Sequence, residues 1–298
     1  MDIFRREPAW TVLTADQLNG NLAEQLGDAD ALVVRSAVNV DVELLKHARK
    51  LRVIGRAGVG VDNIDLEAAT RQGIAVMNTP GANAVAVAEH TLGLMLALAR
   101  HLCRADSGMH AGKWEKKSLQ GSELHGKTLG IIGLGKVGLE VAKRARAFGM
   151  ELAAHDPFVS AGVVRELKIR MTTLDELYAA SDYISLHVGL TAQTAGMINR
   201  NSLAKMKAGV QLVNCARGEL IDEAALAAAL RAGQVSGVAL DVFAEEPPNN
   251  SDLLKLPNVI ATPHVAGVTD RSYSDIADAV AANIERLRRG EPPLNRAA

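Results

Sequence analysis

At 298 residues, 48% of them hydrophobic, the chain is long enough to bury a sizeable core, and about 150 residues per domain suggests two domains. Its 33 Lys and Arg against 34 Asp and Glu leave a net charge of -1, which excludes a general electrostatic attraction to nucleic acid or to an anionic membrane. Two cysteines, Cys103 and Cys215, stand far apart and outside any metal-ligand spacing, so neither a disulfide framework nor a metal site is expected.

The N-terminal M-D-I-F-R-R-E-P lacks the apolar run and cleavage site of a secretory signal, and a cytoplasmic location is expected. Between residues 11 and 80, the runs Thr11-Val12-Leu13, Leu32-Val33-Val34, Val53-Ile54 and Ala75-Val76-Met77 alternate with helical segments at 15–26 and 40–49. This is the βαβ rhythm of a parallel sheet. Thr79-Pro80-Gly81-Ala82-Asn83 breaks it, marking a hinge near residue 80, and one long helix is predicted over Val85–Leu102. Its apolar stretch from Ala88 to Ala99 is interrupted by Glu89 and His90 and is shorter than the roughly 20 residues of a membrane span.

From Lys127 a second series begins: strand T-L-G-I-I-G-L, a helix over 136–148, strand E-L-A-A-H-D, then strands at 183–188, 210–214, 236–241 and 258–261. A helix near 270–289 and a polar tail follow. The expected fold is α/β, with two doubly wound parallel-sheet domains. A Rossmann-type domain of five or six strands, 81–267, is inserted into a flavodoxin-like domain made of 1–80 and 268–298.

The string G-L-G-K-V-G at 133–138 sits between a buried strand and a helix. There Gly133 permits the tight turn, Gly135 lets backbone approach a pyrophosphate, and Gly138 allows helix and strand to pack closely. The helix start at Lys136 and Val137 then faces the phosphates. Asp156 ends the next strand, where a carboxylate bonds the ribose hydroxyls and repels a 2′-phosphate, so NAD is expected over NADP. The alternative for Asp156 is a turn or cap residue before Pro157.

Exchanging a hydroxyl for a carbonyl by hydride transfer needs a proton donor, a cation for an anionic substrate and a group that tunes the donor. N-C-A-R-G at 214–218, D-V-F-A-E-E-P at 241–247 and T-P-H at 262–264 each follow a strand and supply all three. Together with the glycine turn and G-R-A-G-V-G-V-D-N at 55–63, these motifs closely resemble the D-isomer-specific 2-hydroxyacid dehydrogenases. The resemblance runs from about Leu13 to Pro293.

The resemblance implies that Arg217 holds the substrate carboxylate through its planar fork, that His264 exchanges the proton with the carbonyl oxygen, and that Glu246 bonds and orients the imidazole. Glu245 is left as a surface charge. Cofactor contacts are implied at Lys136, Val137, Asp156, Val188, Cys215, Ala216 and Asp241, with Cys215 a small loop residue rather than a nucleophile. Substrate choice is expected to come from the first domain closing over the cofactor. Arg35, Ser36, Arg56 and Gly58, with Lys116 beside Lys113, Trp114 and Lys117, match positions that face a phosphate in family members acting on phosphorylated acids. A phosphorylated 2-hydroxy acid is the leading expectation, with a glyoxylate or hydroxypyruvate reductase and a non-catalytic NAD-sensing adaptor as alternatives. A homodimer or higher oligomer is implied, the helix near 85–102 being a candidate contact.

The chain also departs from the family. It reads H-V-G-L at 187–190, where His-x-Pro-Leu is usual, and V-A-G-V-T-D after His264. It enters at M-D-I-F without the family's opening strand, so the first domain is expected to lack that strand and to be less stable than the second. It ends at E-P-P-L-N-R-A-A, and regulation through an appended domain is not expected.

Overall fold

Apolar runs without strict alternation are what a strand needs when helices cover both faces of its sheet, and the chain uses them that way. The structure, a computed structural model, describes residues 10–18, 21–249 and 251–297; the opening M-D-I-F segment lies outside them. Among the described residues the strands are β1 (Ala31–Val34), β2 (Val53–Arg56), β3 (Ala75–Met77), β4 (Thr128–Ile132), β5 (Glu151–His155), β6 (Arg170–Met171), β7 (Tyr183–Leu186), β8 (Val210–Asn214), β9 (Val235–Leu240) and β10 (Val259–Ala261). The longer helices are α1 (Ala84–Arg100), α2 (Leu102–His110), α3 (Lys136–Ala147), α4 (Glu223–Arg231) and α5 (Asp270–Arg288). The chain divides into two compact units, one running to Asn83 and resuming at Val268, the other Ala84–Gly267.

In the first unit β1, β2 and β3 pair in parallel and in chain order. Leu26, Val34, Leu45, Ile54, Ile74 and Val76 fill its core. Helix α5 starts at Thr269, whose side chain accepts the amide of Ser272, and buries Ile276, Val280 and Ala281. Val280 comes so close to β2 that a side chain at Gly55 would meet its Cγ1 at 2.8 Å. The polar tail is part of this unit: Ala297 donates its amide to Val76 O at 2.8 Å, and buried Asn283 accepts the amide of Leu294 at 2.7 Å.

Three expectations change in this unit. Thr11–Leu13 is not a strand: no described strand pairs with it, and Trp10 and Val12 pack instead against Val280 and Ala281. The helix expected over 15–26 contains a 3-10 turn, Ala15–Leu18, and a short helix, Leu22–Leu26. The one expected over 40–49 contracts to Val42–Leu45, with Asp41 capping Leu44.

The second unit holds seven parallel strands in the order β10-β9-β8-β7-β4-β5-β6. The winding reverses between β4 and β7, the place where such sheets open a crevice beyond their C-terminal strand ends. Successive residues turn to opposite faces: Leu129, Ile131, Val213 and Ala239 join one hydrophobic cluster, while Ile132, Leu212, Val238 and Leu240 join the other. Burying each Leu, Ile or Val here is worth about 1.5–3 kcal/mol. The seventh strand, β6, is two exposed residues with no periodicity to read. The predicted long helix ends at Arg100, and α2 restarts after His101, which takes the left-handed conformation at φ 53°.

Candidate active site

The glycine turn closes β4 at the switch point. Gly133 has φ 95°, and a side chain there would meet His187 O and Val188 Cγ1, so the turn lies directly against the residues that follow β7. A side chain at Gly138 would run into Gly133 O, which fixes how closely α3 approaches the turn. Gly135 differs: beyond its own chain neighbours, no atom lies within 4 Å of where its Cβ would be. It is the N-cap of α3, and Lys136 beside it is exposed, with Val137 half-buried. A helix start led by a glycine with open space before it is suited to a phosphate group.

Asp156 follows β5 and is tied to this turn. Its Oδ2 accepts the amide of Leu134 at 2.7 Å and its Oδ1 that of Phe158 at 2.8 Å. Asp156 thus forms the turn before Phe158 and stands as a carboxylate beside the glycine loop. A glycine with open space before a helix start, and a carboxylate at the end of the next strand, are residue types that suit a dinucleotide.

Arg217, Glu246 and His264 follow β8, β9 and β10, and since β9 pairs in parallel with both neighbours, all three loops emerge at one edge of the sheet. Buried Asn214 shapes the first loop, donating to Arg217 O at 2.8 Å and accepting from Ala216 N at 3.0 Å. Arg217 is half-buried and its Nη1 donates to Ala216 O at 2.7 Å. A side chain at Gly218 would collide with the backbone of Phe243 and Ala244, so the Arg217 loop is packed onto the Glu246 loop. Glu246 Oε1 accepts the Phe243 amide at 3.1 Å, and Oε2 lies 2.8 Å from His264 Nδ1. His264 is about half exposed and stands at φ 52°, its amide shared between Asp241 O at 2.8 Å and Thr262 O at 3.0 Å. A planar cation, an imidazole with its Nε2 edge unburdened by Glu246, and a carboxylate pinned by backbone make a site able to hold an anion and pass a proton.

The other expected positions divide between the units. Val188, Cys215 and Ala216 are partly buried in the loops after β7 and β8. Burial pushes the Cys215 thiol up to about 12, with a hydrogen bond to Thr91 acting against it, which makes the group a poor nucleophile. Lys116 is exposed in a 3-10 turn of the second unit, next to Trp114 at 79% exposure. Arg35, Ser36, Arg56 and Gly58 belong to the first unit. Arg35 donates to Tyr273 OH at 3.2 Å with its guanidinium 4.7 Å from that ring's centre, while Ser36 is exposed. Arg56 donates to Ala57 O at 2.8 Å and folds over Gly58, where a side chain would strike its guanidinium.

Several residues of the site carry roles that their motifs do not announce. Asn214 and Thr262 stand inside N-C-A-R-G and T-P-H, and their position at strand ends is the one signal available. Asp241, expected as a cofactor contact, is completely buried, and its carboxylate accepts from Thr262 Oγ1, Val265 N and Ala266 N.

Residues 92–266 match the family model described as D-isomer specific 2-hydroxyacid dehydrogenase, NAD binding domain. The chain is 47% identical to the D-3-phosphoglycerate dehydrogenase of Archaeoglobus fulgidus, over 99% of this chain and 56% of that protein. It spans about half the length of the curated relatives it matches. Among solved structures, the TT0316 protein of Thermus thermophilus superposes with a TM-score of 0.88 at 35% identity, covering 100% of this chain and 96% of that one. A glyoxylate reductase from Paecilomyes thermophila gives 0.86 at 36%, covering 95% and 88%. With the glycine turn, its aspartate and the Arg217, Glu246 and His264 loops on one sheet edge, the chain belongs to the D-isomer-specific 2-hydroxyacid dehydrogenases, and its second unit carries their NAD-binding domain.

Proposed function

We propose that the chain interconverts D-3-phosphoglycerate and 3-phosphohydroxypyruvate with NAD, a step that feeds serine synthesis. The observation that carries this reading is the 2.8 Å contact between His264 Nδ1 and Glu246, on the sheet edge that also bears Arg217. NAD, when bound, takes or gives the hydride at its nicotinamide. Arg217 holds the carboxylate of the acid. In reduction His264 gives the proton on Nε2 to the carbonyl oxygen while Glu246 keeps the ring turned toward it; in oxidation the same nitrogen takes the proton back. Lys116, exposed in the same unit as His264, is assigned to the substrate's phosphate. The identity to D-3-phosphoglycerate dehydrogenase supports this substrate.

A second reading has its own support: the likeness to a glyoxylate reductase, at 36% identity and a TM-score of 0.86, favours an unphosphorylated acid such as glyoxylate or hydroxypyruvate. An NADH oxidation screen separates them. The main reading expects the highest kcat/KM with phosphohydroxypyruvate, and a preference for hydroxypyruvate or glyoxylate would replace it with the second. NADH binding without turnover of any 2-keto acid would make the chain an NAD-sensing adaptor. We further propose that it works in the cytoplasm as a homodimer or higher homo-oligomer contacting through α1, the size of the assembly being tested by light scattering on the purified chain. Among the described residues no helix is long and apolar enough to cross a membrane.

A further inference from the structure

Behind His264 runs a chain of polar contacts that the roles above leave unused. Thr262 Oγ1 donates to Asp241 Oδ1 at 2.6 Å, so its single proton is committed and its lone pairs face elsewhere. His90 Nε2, on α1, lies 3.1 Å from the same Oγ1 and 3.7 Å from Asp241 Oδ1. With Thr262 already donating, His90 must be the donor in their bond, which sets its proton on Nε2. Asp241 then gathers the backbone on both sides of His264. Its carboxylate accepts Val265 N at 2.9 Å and Ala266 N at 2.8 Å, and its carbonyl accepts His264 N at 2.8 Å.

A completely buried carboxylate with three donors is a rigid anchor, whereas removing one donor leaves a buried acceptor short of its partners. The residue it anchors needs such support, because a non-glycine side chain at φ 52° is held there by its surroundings. Helix α1 contributes His90 from 172 residues upstream of Thr262, so the relay joins the first helix of the unit to its last strand loop.

We propose that His90 is a positioning residue for the reaction: through Thr262 and Asp241 it holds the backbone on which His264 presents its imidazole to the substrate. The inference rests on the reading of His264 as the proton donor. It predicts that the relay acts mainly on proton transfer, so that kcat falls by more than the KM for NADH rises.

The test compares His90→Phe and Thr262→Val, which remove the donor and the hydroxyl, with His90→Gln and Thr262→Ser, which keep them. His90→Phe and Thr262→Val are expected to lower kcat about tenfold, as a small displacement of a proton donor does, with the KM for NADH rising by much less than that. His90→Gln and Thr262→Ser are expected to recover kcat. If His90→Phe does not fold, the Thr262 pair carries the comparison. Unchanged kcat in Thr262→Val and His90→Phe would overturn the proposal, as would a rise in the KM for NADH as large as the fall in kcat, or failure of the donor-keeping variants to recover kcat. Full turnover by His264→Ala would instead remove the reading of His264 on which it rests.

Discussion

Glu246 meets His264 through one carboxylate oxygen, 2.8 Å from Nδ1, while its other oxygen is fastened by the amide of Phe243 at 3.1 Å. The carboxylate is thus held by backbone before it holds the ring. That arrangement fixes which ring nitrogen faces the substrate, and it makes the pair a unit rather than two independent side chains.

Glu246→Gln keeps the size of the side chain and removes its charge. The variant is expected to lose turnover on the order of 100-fold while binding NADH with unchanged affinity. Steady-state kinetics with a fluorescence titration of NADH checks both parts. A kcat equal to that of the wild type would mean that the contact has no part in the chemistry.

Gly218 and Gly135 separate packing from binding. A methyl group at Gly218 has nowhere to go against Phe243 and Ala244, so Gly218→Ala is expected to destabilise the fold by about 1–3 kcal/mol. At Gly135 the space is open, and Gly135→Ala is expected to melt within a few degrees of the wild type while its affinity for NADH falls at least about tenfold. Thermal melts and NADH titrations of the two variants should show opposite patterns. Similar melting losses in both would contradict the assignment of Gly135 to the phosphates.

Much of the second unit was legible because its strands are covered on both faces and its functional residues stand immediately after them. A buried apolar run ending in G-L-G, in N-C-A-R-G or in T-P-H announces both a strand and its loop. The pairing of His90 with Thr262 was not legible, since nothing local marks two residues 172 positions apart as neighbours. The break at His101 escaped for another reason: a histidine in a left-handed conformation is set by packing and carries no glycine to signal it. In the first unit, Thr11-Val12-Leu13 has the composition of a strand, but a strand also needs a hydrogen-bonded neighbour, and none of the described strands is one.

His187 makes the switch-point loop sensitive to acid. Its Nε2 lies 2.8 Å from Ser185 Oγ, and burial pushes the ring down to about 4 from the ordinary 6.5. The unfolded chain takes up this proton before the folded one does. The contribution is therefore complete above about pH 6.5 and is lost as pH falls from there through 4, by no more than about 3 kcal/mol. Melting temperatures measured across that window should fall more steeply for the wild type than for His187→Gln. Parallel curves would show that the ring is protonated equally in both states.

The most direct measurement is a single-turnover mixing experiment in which NADH absorbance is followed on adding phosphohydroxypyruvate to the wild type and to His264→Ala. Both proteins are expected to bind NADH equally, with oxidation in the variant slowed at least about 100-fold. Undiminished oxidation by His264→Ala would contradict the assignment of His264 as the group that moves the proton.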